Sequence, residues 1–257
     1  FNSGIPLNEE VFRNVQYLWD LFKYNKQILS SDVELYKFNA ISLFPSVAKL
    51  FDTIDKKHDL ALLVNEKNII INEDSKLKTG VILDATEGPI IIGKNVIIDI
   101  GALIQGPVFI DDYSYISPGA KIRYNCLIGK YCKIGGEVSN SIFHANSNKV
   151  HDGFIGHSYI GEWVNIGAGT NNSNLKNNYS TVKFHFDHKT IDSQRLFLGS
   201  MIGDFTRIGI SSMLNTGTFI GFGANIFGAE FKKKYNESFL WGENERVDLD
   251  KFLQTCS

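Results

Sequence analysis

The sequence predicts an all-β solenoid, a parallel β-helix built from six-residue repeats. Isoleucine occupies every sixth position from Ile92 to Ile134, which places eight isoleucines in one unbroken register. Because six is a multiple of the two-residue strand period, these side chains point to one side of an extended chain. The residue four places after each isoleucine points the same way and is small or medium-sized: Val96, Ala102, Val108, Ser114, Ala120, Cys126, Cys132 and Val138. Stacked coils with large residues on the faces and small ones at the corners fit this pattern.

The register continues on both sides of this stretch. It includes Ile71, Leu77 and Leu83 upstream, and Ile160, Ile166, Ile202, Ile208, Leu214, Ile220 and Ile226 downstream. We therefore expect the β-helix to cover residues 59–236. The register is lost in a polar stretch, and we expect an irregular loop at 168–198. A loop of that length within a compact solenoid is usually functional.

Both ends of the chain lack the six-residue register. Val11, Val15, Leu18 and Phe22 have helical spacing, and Asn8 is positioned to cap such a helix. We expect a helical segment over residues 1–58, interpreted as a linker from an upstream domain. A strand and a helix are expected in 237–257, with the helix at 247–256. Both segments are expected to cover the open ends of the solenoid.

Composition excludes several functional classes. The net charge of −2 argues against nucleic acid as a partner. No apolar stretch approaches the ~18 residues of a membrane-spanning helix, so we expect no membrane partner. The three cysteines have no spacing typical of a disulfide framework. We therefore expect a cytoplasmic protein with reduced thiols.

Three phrases in the second half of the chain are more specific: "SNKVHDGFIG", "IGEWVNIGAGTNNSNLKNNY" and "NTGTFIGFGANIFG". They resemble the acetyltransferase half of the bifunctional uridyltransferase/acetyltransferase that makes UDP-N-acetylglucosamine. They are similar in particular to a bacterial group of sugar nucleotidyltransferases with that C-terminal domain. The similarity covers roughly residues 60–242 and includes "WDLFKYN" at 19–25. The resemblance implies a left-handed β-helix and a homotrimer with sites between neighbouring subunits.

The same resemblance implies an acyltransferase site with acetyl-CoA as co-substrate and no metal. Its catalytic histidine falls on His151. The residues assigned to the substrate are Glu137, Lys149, Phe154, Asn165 and Asn174, and those assigned to acetyl-CoA are Gly167, Ala168, Lys183 and Ser200. A histidine suits the reaction because its pKa range lets it remove a proton from the attacking amine or hydroxyl. An asparagine amide can stabilise the oxyanion.

The chain departs from the family pattern at the positions that hold phosphate. The two basic residues of the family are Ser117 and Ser139 here, and its tyrosine is Phe154. The acceptor therefore remains open between an amino sugar and a sugar phosphate. The sequence has no glycine-rich nucleotide loop, so we expect any uridyltransferase domain to precede Phe1.

Two other functions are compatible with the sequence. The solenoid could be a non-catalytic module that trimerises or regulates a sugar-1-phosphate nucleotidyltransferase. It could also be a zinc-dependent β-helix of the carbonic anhydrase kind. That reading would use His144, His151 and His157, which could meet only at a subunit interface, with His185 or His188 as an additional ligand.

Overall fold

The computed structural model describes residues 15–43, 60–72 and 74–256. One turn of 3-10 helix at Leu18–Asp20 leads into helix α1 (Leu21–Leu43). A second 3-10 turn lies at Glu66–Asn68, and helix α2 (Leu249–Cys256) follows the last strand. The described residues therefore form two α-helices with a long series of short strands between them.

The strands are two to four residues long and are numbered in chain order. They are β1 (Leu62–Val64), β2 (Ile69–Ile71), β3 (Lys76–Leu77), β4 (Ile82–Asp84), β5 (Ile90–Ile92), β6 (Ile97–Ile98), β7 (Leu103–Gln105), β8 (Val108–Ile110), β9 (Tyr115–Ile116), β10 (Lys121–Arg123), β11 (Cys126–Ile128), β12 (Lys133–Ile134), β13 (Glu137–Ser139), β14 (Ile142–Phe143), β15 (Asn148–Lys149), β16 (Phe154–Gly156), β17 (Tyr159–Ile160), β18 (Asn165–Ile166), β19 (Asn171–Asn172), β20 (Lys183–Phe186), β21 (Lys189–Asp192), β22 (Ser200–Ile202), β23 (Arg207–Ile208), β24 (Met213–Leu214), β25 (Thr218–Ile220), β26 (Asn225–Ile226), β27 (Tyr235–Asn236), β28 (Leu240–Trp241) and β29 (Glu245–Arg246).

Successive strands contribute to three faces in rotation, as a parallel β-helix requires. Face A is a six-stranded sheet in the order β1-β4-β7-β10-β13-β16. Face B has nine strands in the order β2-β5-β8-β11-β14-β17-β22-β25-β27. Face C has ten, β3-β6-β9-β12-β15-β18-β23-β26-β28-β29, and only its last pair is antiparallel. We name the turns between faces the A–B, B–C and C–A corners.

The predicted isoleucine register is confirmed. The eight isoleucines from Ile92 to Ile134 align coil upon coil, and each is at most 1% exposed. Ile92 aligns with Ile110 on face B, and Ile98 aligns with Ile116 on face C. The small and medium-sized residues that lie four places after each isoleucine are buried beside them. The core is therefore a set of apolar columns inside the coils.

The coils shorten after Ile134, and the register shifts. The sequence pattern places Val138 among the small residues that follow the isoleucines. In the structure it aligns with Ile122, in the column of face A. Further along, two lysines and two asparagines occupy inward positions and are at most 8% exposed. They are Lys149 on face C, Asn172 and Lys232 above face A, and Asn236 on face B.

Asparagine side chains interrupt the ladder of face A. The Phe154 N–H donates to Asn171 Oδ1 and the Gly156 N–H donates to Asn172 Oδ1, each at 2.8 Å. In a regular coil these donors would bond to backbone carbonyls of the next strand. As a result β19 and β24 pair separately, above the six-stranded sheet.

Helix α1 packs along face B and does not cap the end of the solenoid, which corrects the expectation. Val33 packs against Ile70, Ile91 and Phe109, which are outward-facing apolar residues of face B. The predicted apolar stripe is wrong for Val15 and Leu18, which are both exposed. It holds for Phe22, which is half-buried and packs against the cluster around Trp19. The buried residues of this segment are Trp19, Asn25, Leu29 and Val33. Asn8 and Val11 lie outside the described residues.

The stretch expected to be an irregular loop contains an antiparallel hairpin of β20 and β21. Phe184 and Phe186 of the hairpin contact Phe219 on face B, with ring centroids 6.1 and 4.9 Å apart. The Trp19 ring packs at a tilt against Phe184, with ring centroids 4.9 Å apart, which links the segment before α1 to the hairpin. Face B is therefore covered by the chain itself over much of its length.

The helix at the C-terminal end is present at Leu249–Cys256. Phe252 packs on the B–C corner, 5.3 Å from Phe239 and 5.9 Å from Phe205 between ring centroids. Within residues 15–43, 60–72 and 74–256, neither helix combines the length and the apolar character needed to cross a membrane. The division into domains at residues 58 and 236 stays a prediction.

Candidate active site

His151 lies at the C–A corner, in the turn between β15 and β16, and its side chain is exposed. Gly153 in the same turn has φ of +127°, and a Cβ atom added there would lie 2.1 Å from the Thr170 carbonyl oxygen. Only glycine fits at this point. The turn therefore packs closely against the next coil and presents the imidazole to solvent.

The four carbonyls around His151 are all hydrogen-bonded. Each carbonyl from Lys149 to Asp152 accepts one bond. The donors, in order, are Gly135 N, Ser117 Oγ, Lys149 Nζ and Gly169 N, at 2.7, 2.9, 2.9 and 2.8 Å. These bonds fix the backbone that carries His151, and a general base has to be positioned in this way.

Glu137 and Phe154 lie beside this corner on the outer surface of face A, where they are aligned partners of β13 and β16. Glu137 Oε1 accepts a hydrogen bond from Arg123 at 3.0 Å. This bond raises the pKa of the Arg123 guanidinium above its ordinary value. The structure thus brings two predicted substrate residues together, with a paired cation next to them.

Asn174 is at the A–B corner, where it meets a histidine that the sequence suggested only as a zinc ligand. Its Nδ2 lies 2.9 Å from His157 Nδ1. An amide nitrogen can only donate, so Nδ1 is the acceptor and the ring proton is on Nε2. The His157 ring stacks on Phe197 at 5.2 Å, and burial lowers its pKa to about 4.

Gly156 lets these groups approach one another. A Cβ atom at Gly156 would lie 2.5 Å from Phe154 Cζ and 2.7 Å from Asn174 Nδ2. Phe154 and Asn174 therefore meet over the backbone of this glycine. The sequence shows that Phe154, Gly156 and His157 are close together in the chain. The contacts of Asn174 and Phe197 with His157 depend on the path of the loop between β18 and β22.

Asn165 lies on the outer surface of face C. Its Oδ1 accepts a bond from Asn148 Nδ2 at 2.9 Å. The Asn148 Oδ1 atom is buried and has no hydrogen-bond partner in the described part of the chain. The pair extends the polar surface from the C–A corner onto face C.

The residues assigned to acetyl-CoA are spread over three places. Gly167 and Ala168 form the C–A corner one coil above His151, bonded to the coil above through Ile208 O and Ser211 N. Lys183 is exposed at the start of the hairpin, over face B. Ser200 is completely buried and its Oγ has no partner in the described residues.

Lys149, assigned to the substrate, is also buried, with 1% exposure. Its Nζ donates to the carbonyls of Gly135 and His151. Desolvation on burial lowers its pKa to about 8. The burial of Lys149 and Ser200 argues against direct contact of either side chain with a ligand at the surface.

The histidines that a zinc-dependent enzyme would need as ligands lie apart from one another. His144 Nε2 is 2.6 Å from the Tyr159 hydroxyl, whereas His157 bonds to Asn174 and His151 faces solvent. His185 bonds to Thr190 within the hairpin. No group of three or more His, Cys, Asp or Glu side chains in the described residues is arranged to hold a metal ion.

Comparison with known proteins shows where this fold and sequence recur. No protein-family model matches the chain. The bifunctional protein GlmU of Thermodesulfovibrio yellowstonii is 32% identical over 187 residues, which cover 66% of this chain and 38% of GlmU. The chain thus spans less than half the length of this relative. YaiX of Escherichia coli K12, named as an uncharacterised acetyltransferase, is 32% identical over 166 residues, covering 64% of this chain and 70% of YaiX.

A solved structure has the same fold. The UDP-N-acetylglucosamine acyltransferase of Francisella novicida superposes with a TM-score of 0.50 and 15% identity, over 78% of this chain and 73% of that protein. The fold is a left-handed parallel β-helix of hexapeptide repeats; the repeat pattern predicted the β-helix, and the family resemblance implied its left hand. Together with the identity to YaiX, which extends over most of that protein, the comparisons show that the chain belongs to the hexapeptide-repeat acetyltransferases, the family that includes the C-terminal domain of GlmU.

Proposed function

We propose that this chain is an acyl-CoA-dependent acyltransferase that transfers an acetyl group to an amino sugar or a sugar phosphate. The observation that carries the proposal is the exposed imidazole of His151 on a corner whose four carbonyls are all bonded. Membership of the acetyltransferase family supports it. The name of the Francisella enzyme, a UDP-N-acetylglucosamine acyltransferase, supports a sugar as the acceptor.

In the proposed reaction His151 takes a proton from the amine or hydroxyl as it attacks the thioester carbonyl. The new bond forms from nitrogen or oxygen to the acyl carbon, and the carbon–sulfur bond then breaks. The proton on His151 leaves with the coenzyme A thiol. An amide N–H of Asn174 or Asn165 is the candidate donor to the oxyanion. Glu137 and Phe154 are the candidate contacts to the sugar.

The corner above His151 fits the arm of acetyl-CoA. It consists of Gly167, Ala168 and Gly169, so no side chain larger than a methyl group stands there. A narrow, extended pantetheine chain needs such a path along the solenoid. In this arrangement the thioester would lie near the imidazole.

The residues at the positions that bind phosphate in the family support an amino sugar without a phosphate group over a sugar phosphate. Ser117 and Ser139 are both 6% exposed, and Ser117 Oγ is used to bind the Val150 carbonyl. Arg123, one of the cations beside the site, is already paired with Glu137. A phosphate would therefore have to displace a carboxylate to gain this partner.

The test is acetyl transfer by wild type, His151→Ala and the control His188→Ala. His188 is at the hairpin tip, with 97% of its side chain exposed. We expect His151→Ala to slow single-turnover transfer by about 10²–10⁴-fold, with unchanged acetyl-CoA affinity, and His188→Ala to behave as wild type. A panel of amino sugars and sugar phosphates identifies the acceptor.

One outcome would reject this function, and another would reject only the role of His151. If wild type binds no acetyl-CoA at millimolar concentration, the regulatory module becomes the better reading. If His151→Ala is as fast as wild type, the acyltransferase survives but its mechanism does not. Light scattering tests the proposed homotrimer, whose mass would be three times 28.8 kDa.

A further inference from the structure

Lys149 occupies a place where the fold otherwise uses isoleucine. It aligns with Ile134 on face C, and the same column contains Ile116 below and Ile166 above. Its side chain is 1% exposed. Placing an amine in an apolar column is costly, because the charged form loses its hydration.

The lysine does not pair with an acid inside the column. Its Nζ donates to the carbonyls of Gly135 and His151, each at 2.9 Å. The coil from Ile134 to Lys149 is shorter than the coil before it. In this shorter turn the Gly135 and His151 carbonyls accept their bonds from the Lys149 side chain. The backbone of the candidate base is thus held from inside the solenoid.

The surroundings leave this amine little freedom. A Cβ atom at Gly136 would lie 2.8 Å from Nζ, so a glycine makes room for it. Gly136 has φ of +66°, a conformation that also favours glycine. Two N–H donors and two carbonyl acceptors match one another, so the contact fits an uncharged amine as well as a charged one.

Resting on the proposed acyltransferase function, we propose that Lys149 is a positioning residue for His151. It holds the His151 carbonyl from within the coil, and so fixes where the imidazole stands relative to the attacking amine. It does not touch the substrate. This role differs from a merely structural one, since it predicts a loss of turnover beyond any loss of stability.

The test uses two variants without N–H donors and one that keeps them. Lys149→Met keeps an unbranched side chain that lacks the terminal amine, and Lys149→Ile restores the residue used elsewhere in the column. Either variant can carry the test if the other fails to fold. Lys149→Gln retains an uncharged NH₂ group. Lys232→Met is the matched control, because Lys232 is another buried lysine, 8% exposed, whose Nζ donates to Phe227 O at 2.9 Å.

Two properties are measured well below each variant's Tm. The first is steady-state acetyl transfer, where we expect kcat of Lys149→Met and Lys149→Ile to fall about 10- to 100-fold, with KM for acetyl-CoA unchanged. Lys149→Gln should recover part of kcat. The second is hydrogen exchange of the Gly169 amide, which donates to Asp152 O at 2.8 Å beside the same corner. We expect this exchange to accelerate about 10-fold in the donor-free variants and not in Lys232→Met.

The results separate this inference from the proposed function. If wild type transfers no acetyl group, the function fails, while the exchange of Gly169 still tests the positioning. If a folded donor-free variant keeps wild-type kcat, or slow exchange at Gly169, the positioning role is rejected. Equal losses of kcat in Lys149→Met and Lys232→Met would also reject it, since they would indicate a general effect of burying methionine.

Discussion

Acidification should destabilise the protein through His157, and the size of the effect follows from its environment. Burial lowers the His157 pKa to about 4, whereas an imidazole in an unfolded chain titrates near 6.5. Since the unfolded state then binds the proton more readily, the stabilisation is complete above about pH 6.5 and is lost as the pH falls toward 4. Between pH 7.5 and pH 5 this linkage amounts to about 2 kcal/mol.

The variant His157→Asn isolates this contribution from other titrating groups. His157 has φ of +50°, a left-handed conformation that asparagine tolerates, and the new Oδ1 can accept from Asn174. We expect wild type to lose about 2 kcal/mol more unfolding free energy than the variant between pH 7.5 and pH 5, measured by urea denaturation.

An NMR titration of the His157 ring gives its pKa directly. Equal losses of unfolding free energy in the two proteins, or a ring pKa near 6.5, would refute the reasoning. Either result would mean that the imidazole is hydrated in the folded protein and is protonated there as readily as in the unfolded chain.

Two further predictions concern the site and the core. Gly156→Ala should push Phe154 and Asn174 apart, because the added methyl group would lie within 2.7 Å of both. We expect the KM for the acceptor to rise about 10-fold while the KM for acetyl-CoA stays constant. An unchanged KM for the acceptor would show that these two residues do not belong to the substrate site. Ile110→Asp should prevent folding, since an unpaired carboxylate in a fully buried column costs several kcal/mol, comparable with the stability of a whole domain. Circular dichroism and melting test the second change, and a soluble variant with the wild-type Tm would contradict the assigned register.

The coil register could be predicted from sequence because one residue type repeats at the period that the faces require. The burial of the isoleucines from Ile92 to Ile134 could be predicted without knowledge of distant contacts, because each of them packs against the equivalent residue of the next coil. The position of α1 was not predictable in the same way. Which residues of that helix are buried depends on the apolar outer surface of face B, formed by residues such as Phe109 and Ile142.

The candidate site also has a part that the sequence predicts and a part that depends on contacts between coils. The phrase around His151 located the exposed histidine of the C–A corner. The burial of Lys149 could not be foreseen, because it follows from the shortened coil and the shift of register after Ile134. The pairing of His157 with Asn174 depends on the loop returning over Gly156, a contact between residues on different coils.

The polar residues at the inward positions of the last coil bear on how long the solenoid can grow. A β-helix has open ends, and an apolar end could template another molecule and lead to fibres. Here Lys232 donates to Phe227 O, and the Asn236 amide donates to the carbonyls of Phe219 and Lys233. Stacking a further coil on them would bury polar groups against apolar residues. The end of the columns therefore acts as a chemical stop against end-to-end polymerisation, and replacing both residues with isoleucine would be the first step in lengthening this solenoid by design.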